Sequence, residues 1–394
     1  MPTYVLNPGR EKSLLHRHPW VFSGAIGTTK GEVTAGATVD VIAEDGRFLG
    51  RAAASPTSQI RARIWSFDPR IAVDAAFFEQ RLRAAVAWRD PLFSSDNTAA
   101  RLVHAESDGL PGLIVDRYAD TLVVQLLSAG VETWREVIFA ALTRVTGCTR
   151  IFERSDVEVR VLEGLPARSG PVSGDSGIEI VVAEHGLLYD IDIAGGQKTG
   201  FYLDQRNNRQ RVAQLAGGRD VLDCFCYSGG FSLGALRGGA RSVLALDSSA
   251  DAIKAAQRNA RRNGLDDDRV SWVEADVFKH LRLLRDQARQ FDLVILDPPK
   301  LAPTIQHVER AARAYKDINL LALKLLRPGG LLASFSCSGG VGIELFQKIV
   351  AGAAVDARVD AQIIERLGPG ADHPILLSFP EGDYLKGLLV RLSN

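Results

Sequence analysis

The sequence predicts a multi-domain protein: a small N-terminal β-barrel over residues 1–72, a middle α+β domain over 73–193, and a C-terminal α/β domain over 194–394. Three observations lead there. At 394 residues the chain exceeds what one hydrophobic core usually holds. It begins with short strand-like runs broken by turns, whereas its second half alternates strand-like and helix-like runs. Its 46% hydrophobic and 24% charged residues are those of an ordinary globular protein.

The first domain is read from alternation. Residues 37–43 and 47–52 flank the turn signal Glu44–Asp45–Gly46, which predicts a hairpin. Residues 59–65 alternate Arg61 and Arg63 with apolar side chains, predicting a strand with one basic face. Upstream, residues 9–22 interleave basic residues, Lys12 among them, with aromatic ones. Short strands in about 70 residues suit a small barrel. In the middle domain a helix is expected near 74–90, a hairpin around Ala119–Asp120, and a helix from Glu132 to Val145. Strands come next at Arg150–Arg154 and Ile178–Ile193, the second turning at Glu184–His185–Gly186.

The third domain carries strand-like runs at Val221–Phe225, Ser242–Asp247, Val270–Asp276, Phe291–Asp297 and Gly330–Cys337, with helical runs between them. That alternation means a parallel sheet covered on both faces. Ligands of such sheets bind outside the carboxyl ends of the strands, near the switch point.

Composition narrows the chemistry. The four cysteines, Cys148, Cys224, Cys226 and Cys337, are too few and too unevenly spaced for a disulfide framework, and no Cys/His cluster has zinc spacing. With no apolar leader and no long uncharged stretch, neither a membrane nor a metal is expected, and a reducing cytoplasm is the simplest location. Net charge is zero, but residues 1–70 hold 9 Lys/Arg against 6 Asp/Glu, and residues 71–190 hold 11 against 18. Mildly basic ends around an acidic middle suit a polyanion partner, and equally a solvated surface.

The strand ends carry the chemistry. The first runs from Asp223 through Phe225, Tyr227 and Ser228 to Gly229 and Gly230, a turn where a ligand can approach the backbone. The second ends at Asp247, placed to hold ribose hydroxyls, and the third at Asp276–Val277, where a carboxylate can accept from an adenine amino group. A nicotinamide dinucleotide would need Gly-x-Gly-x-x-Gly for its pyrophosphate, and Asp223 would repel that anion. S-Adenosylmethionine has no phosphate and carries an amino group and a sulfonium, so it suits an acidic strand end. The fourth strand ends in Asp297–Pro298–Pro299–Lys300, whose prolines fix the backbone and leave carbonyls and a carboxylate for the amino edge of a base. Amine methylation would instead call for Asn-Pro-Pro-aromatic at that turn.

The fifth strand ends at Cys337, among Ser336, Ser338 and Gly339. A strand-end cysteine is most often a core filler. Beside Asp297–Pro298–Pro299 it reads instead as a nucleophile, since neighbouring strands lie about 4.8 Å apart. A thiolate adding to carbon 6 of cytosine makes carbon 5 able to attack a methyl sulfonium. Cys148, Cys224 and Cys226 read as packing residues.

Several motifs together resemble a known family: His16–Phe22, Gln197–Arg206, Asp223–Phe231, Asp297–Lys300, Tyr315–Asn319, Ser336–Ser338 and Ala371–Pro374. In this order, over essentially the whole length, they resemble bacterial 23S ribosomal RNA cytosine-C5 methyltransferases with an N-terminal PUA domain. The resemblance implies a PUA barrel, a middle α+β domain and a class I, Rossmann-like methyltransferase domain with a seven-stranded, mostly parallel sheet. It implies S-adenosylmethionine as cofactor, with Asp204, Gln205 and Arg206 joining Asp223, Phe225, Tyr227, Ser228, Gly229, Asp247, Ser248, Asp276, Val277 and Asp297 around it. It implies Cys337 as attacking thiol with Asp297 as partner, 23S rRNA, naked or in a partly assembled subunit, as substrate, and Lys12, Arg61, Arg63 and Lys300 toward RNA. Many such enzymes carry a second cysteine at the end of strand four, where this chain has Lys300. The base that removes the carbon 5 proton therefore stays open between Asp297, Lys300 and water. Rival readings are uracil-C5 methylation, guanine-N2 methylation and an RNA-binding assembly factor on an inactive scaffold. Oligomeric state is left open, a homodimer included.

Overall fold

The computed structural model describes residues 1–174, 179–302 and 307–393. The chain forms two compact units. One comprises Met1–Ala183, Ile191–Leu203 and Asp372–Gly382; the other comprises Glu184–Asp190, Asp204–Ala371 and Asp383–Asn394.

The first unit holds two sheets. Strands β1 (Thr3–Leu6), β2 (Trp20–Phe22), β3 (Ile26–Lys30), β4 (Thr38–Ile42), β5 (Phe48–Ala54) and β6 (Ile60–Ser66) pair in the order β2-β6-β5-β4-β1-β3, with the short helix α1 (Lys12–Leu15) after β1. The expected hairpin is β4–β5, with Val39 and Val41 turned into the core. Pairing among the described residues does not join the outermost strands β2 and β3, so the six strands form an open order. The second sheet, β11-β10-β9-β8-β7, consists of β7 (Ala99–His104), β8 (Leu113–Tyr118), β9 (Thr121–Leu126), β10 (Arg150–Ser155) and β11 (Arg168–Ser173). Helix α2 (Ala75–Arg89) begins where Asp74 accepts from the Phe77 amide at 2.9 Å, an N-cap that ends the preceding turn. The single helix expected from Glu132 to Val145 is broken at Trp134 into α3 (Ala129–Thr133) and α4 (Arg135–Thr146), and α5 (Val159–Leu162) is one turn long.

Strands β12 (Glu179–Glu184) and β13 (Leu187–Asp192) form the hairpin expected around Glu184–His185–Gly186; its expected start, Ile178, lies outside the described residues. The second unit is a seven-stranded sheet with helices between the strands. Strands β14 (Asp220–Cys224), β15 (Ser242–Asp247), β16 (Val270–Glu274), β17 (Phe291–Leu296), β18 (Leu326–Ser336), β19 (Ala361–Leu367) and β20 (Lys386–Leu392) take the order β16-β15-β14-β17-β18-β20-β19. The helices are α6 (Arg206–Leu215), α7 (Gly230–Arg237), α8 (Ala250–Arg262), α9 (Val277–Asp286), α10 (Val308–Leu325) and α11 (Ile343–Ala357). Four strand pairs are parallel, and β20 runs antiparallel to both its neighbours. The chain leaves β14 toward β15 and β16, then returns to β17 on the other side. The switch point therefore lies between β14 and β17, where register sets Cys224 beside Leu296. Leu222, Val294, Leu296 and Leu332 pack with Tyr315, Ile318 and Phe346 from the helices into one core, which fixes the strand ends relative to each other.

Candidate cofactor and nucleophile site

The turn after β14 is shaped by backbone, not side chains. Phe225 and Tyr227 have φ of 65° and 49°, and Gly229, at 83°, caps α7. This winding aims the Tyr227 amide at Asp247 Oδ2, 2.9 Å away, while Asp247 Oδ1 accepts from the Ser249 amide at 2.9 Å. Each carboxylate oxygen keeps a lone pair for a further donor. Asp223 is fully buried, its Oδ2 accepting from Ser232 Oγ at 2.6 Å. Burial, joined by repulsion from Asp297 and Asp247, pushes its carboxyl up to about 7 against that hydrogen bond.

Among the described residues, Asp223 Oδ1 and Ser228 Oγ in this segment and Gln205 Nε2 at the start of α6 are buried polar atoms with no hydrogen-bond partner. Such an atom costs about 1–3 kcal/mol unless something fills the gap. An acceptor, a hydroxyl and an amide donor match the amino, carboxylate and hydroxyl groups of S-adenosylmethionine, so the residues present fit that cofactor. The other expected contacts are distributed unevenly. Asp204 is held by Tyr384, whose hydroxyl donates to Oδ2 at 2.7 Å, and helix α6 has no side-chain cap, so capping does not account for Asp204. The Arg206 guanidinium lies 3.8 Å from Glu184, which also binds Arg209 through two 2.6 Å hydrogen bonds. Asp276 is exposed and caps α9 by accepting from the Lys279 amide at 3.1 Å. Val277 is buried, Ser248 is exposed, and Phe225 meets Phe278 edge-on.

Cys337 comes one residue after β18 and is partly exposed, its Sγ 4.0 Å from the Pro298 carbonyl oxygen of the Asp297–Pro298–Pro299 turn. Its two serine neighbours explain the motif. Ser336 Oγ donates to the Tyr315 hydroxyl at 3.0 Å, and that hydroxyl lies 3.1 Å from Ser338 Oγ. Ser338 Oγ also accepts from the Ala302 amide at 3.1 Å. Both serines are fully buried, anchoring the chain on either side of the sulfur. Cys224, Cys226 and Cys148 are buried, and burial pushes the first two thiols well up, as their packing role requires. Sequence reasoning gives no role to Tyr315, Tyr384 or Lys386. Only Tyr315, inside the Tyr315–Asn319 motif, leaves a signal there.

Of the residues expected to meet RNA, Lys12 and Lys300 are exposed and Arg61 is partly exposed. Arg63 is different: it is 5% exposed, with its Nη1 2.8 Å from Glu163 and its Nε 3.8 Å from Glu106. The burial of β6 from Ala62 to Ser66 replaces the expected basic face, and Arg63 serves the interior.

Comparison with known proteins identifies the family. The S-adenosylmethionine-dependent methyltransferase family matches residues 168–390, and a PUA-like domain matches residues 5–67. A ribosomal RNA large subunit methyltransferase I from Shewanella amazonensis is 51% identical over 389 residues, 98% of each chain. One of the same name from Cronobacter sakazakii is 49% identical over 97% of each. Among solved structures, a putative SAM-dependent methyltransferase from Streptococcus mutans shares the fold, with a TM-score of 0.86, 20% identity and coverage of 99% of this chain and 100% of that one. A putative methyltransferase complexed with SAH gives 0.87 at 21% identity, over 99% of this chain and 100% of that one. The chain thus belongs to the ribosomal RNA large subunit methyltransferase I family of S-adenosylmethionine-dependent methyltransferases, and its cofactor is S-adenosylmethionine.

Proposed function

We propose that the chain methylates carbon 5 of a specific cytosine in 23S ribosomal RNA through a covalent adduct between Cys337 and carbon 6. The observation that carries this reading is the position of Cys337. Cys337 is partly exposed just after β18, and its sulfur lies against the Pro298 carbonyl at the end of β17, the strand between β18 and β14. Relatives about half identical over the whole length, named for ribosomal RNA, support the substrate class. When bound, the cofactor supplies an electrophilic methyl group on a sulfonium. The thiolate adds to carbon 6, and the displaced ring electrons make carbon 5 the attacking atom. Asp297, sharing a proton with the ring nitrogen, accepts from the amino edge. Loss of the carbon 5 proton then restores the ring double bond and expels the thiolate. Asp297, Lys300 and water are the candidates to take that proton. A buried target base must leave its stack to reach the sulfur.

In this reading residues 1–72 form the RNA-binding domain, residues 73–193 the middle domain, and residues 194–394 the catalytic one. Lys12, Arg61 and Lys300 meet phosphates. Asp204, Gln205, Asp223, Ser228, Asp247 and Asp276 hold the cofactor by polar groups, with Phe225, Tyr227, Gly229, Ser248, Val277 and Asp297 around them. Incubation with labelled methyl donor and rRNA is expected to yield 5-methylcytosine on nucleoside mass analysis. Cys337→Ser is expected to abolish it while donor binding persists. A Cys337→Ser protein with normal turnover would remove the mechanism, and 5-methyluracil as product would reassign the base.

A further inference from the structure

Lys386 is a buried ionisable group beside the Cys337 segment that the proposed thiol chemistry does not use. Lys386 opens β20, directly opposite Ser336 in the antiparallel pair with β18, and is 3% exposed. Its Nζ donates to the Ser338 carbonyl at 2.9 Å and to the Tyr384 carbonyl at 2.8 Å. Neutral carbonyls orient an ammonium but do not balance its charge, and a lysine is seldom fully buried unless paired. The acids acting on it are Asp383, three residues back in the chain, and the Cys337 thiol. Burial pulls this lysine below its ordinary range, and both acids oppose that pull.

The groups facing the sulfur come from four elements. The turn after β17 brings the Pro298 carbonyl, with Asp297 one residue before it, helix α10 brings the Tyr315 hydroxyl, Cys337 itself lies one residue beyond β18, and β20 brings Lys386. Asp297, where ionised, disfavours a second negative charge, and among these described groups Lys386 supplies a positive one.

We infer that Lys386 is a positioning residue for the nucleophile: its ammonium, clamped to the carbonyl of the residue after Cys337, favours the thiolate and makes the sulfur reactive near neutral pH. The inference rests on reading Cys337 as the attacking group. A thiol needs such a positive neighbour to be ionised near pH 7, because a free cysteine titrates near ~8.5.

The test is the rate of Cys337 alkylation by iodoacetamide against pH, in the full-length protein without RNA. Mass mapping assigns the modified residue, and the three buried cysteines provide slow internal references. The wild-type midpoint is expected below ~8.5. Lys386→Met is expected to raise it by about one pH unit, with up to about a tenfold smaller thiolate fraction at neutral pH. Lys386→Arg is expected to stay near wild type, and calorimetric donor binding confirms that each variant is folded. A wild-type midpoint at or above that of an ordinary thiol overturns the inference, whether or not Lys386→Met folds. So does an unchanged midpoint in a Lys386→Met protein that binds donor. Failure of the covalent reading looks different: Cys337→Ser would still methylate, while the alkylation midpoints stayed as predicted.

Discussion

Asp223 shows how one side chain can record a missing partner. Its folded-state pKa of about 7 stands above the ordinary carboxyl value of ~3.9, so the folded, cofactor-free protein holds a proton that the unfolded chain releases. Linkage sets the sign. This contribution to stability is fully present below pH ~4, is lost as pH rises toward 7, and is flat above that. About three pH units correspond to on the order of 4 kcal/mol. Asp223→Asn, which can keep the Ser232 hydrogen bond, is expected to flatten that part of the stability profile in denaturant titrations. In the proposed site the cofactor would reverse the preference, because its ammonium favours the carboxylate. Donor affinity relative to Asp223→Asn is therefore expected to rise between pH 6 and 8. The ligand's own titration appears in both proteins and cancels in the ratio. Parallel binding profiles would show that Asp223 does not meet the amino group.

The cofactor turn belongs to the element scale, and Gly229 is its hinge. At φ 83° a Cβ would strain the backbone and come within 3.1 Å of both Ala256 and Trp272. Gly229→Ala is expected to cost about 1–2 kcal/mol in thermal or chemical unfolding and to weaken donor binding. Unchanged melting and affinity would mean that the turn is not the cofactor's cradle. Elements of this kind are legible in the sequence because alternation and helical periodicity are local. All five predicted strands of the seven-stranded sheet occur, and Asp247 ends β15 while Asp297 directly follows β17. What sequence could not give is set by distant partners. Arg168–Ser173, with Gly170 and Pro171 inside, carries no strand signal, yet it pairs as β11 on a sheet edge, where a missing amide is tolerated. β20 slips between β18 and β19, and only that insertion places Lys386 beside the segment of Cys337.

At the scale of the whole molecule, the first 72 residues are not built to stand apart from the middle segment of their compact unit. Ala53 and Trp65 of the N-terminal sheet belong to the same apolar cluster as Phe77, Phe78 and Leu82 of α2. Trp65 meets Phe78 edge-on at 5.4 Å, and Gly130 of α3 is small because a Cβ there would fall 2.4 Å from that of Ala53. A buried polar knot joins the same two segments. Glu163 accepts from Arg63 at 2.8 Å, from Ser55 at 2.6 Å and from the Ala129 amide at 3.2 Å. Arg63 and its serine neighbours outweigh burial and hold the Glu163 carboxyl below the usual range. Removing one member of such a pair strands the other charge, at a cost of about 3–5 kcal/mol. Two arginines two residues apart therefore divide stability from binding. Arg63→Ala is expected to lower the melting temperature sharply, through loss of its interior role. Arg61→Ala, on the more open side of the same strand, is expected to leave stability within about 0.5 kcal/mol. It should instead weaken RNA binding and reduce the salt dependence of that binding by about one phosphate contact. Calorimetric melting and rRNA binding at several salt concentrations check both together. Equal effects of the two substitutions on melting, or an unchanged salt slope in Arg61→Ala, would break the link between this strand and RNA.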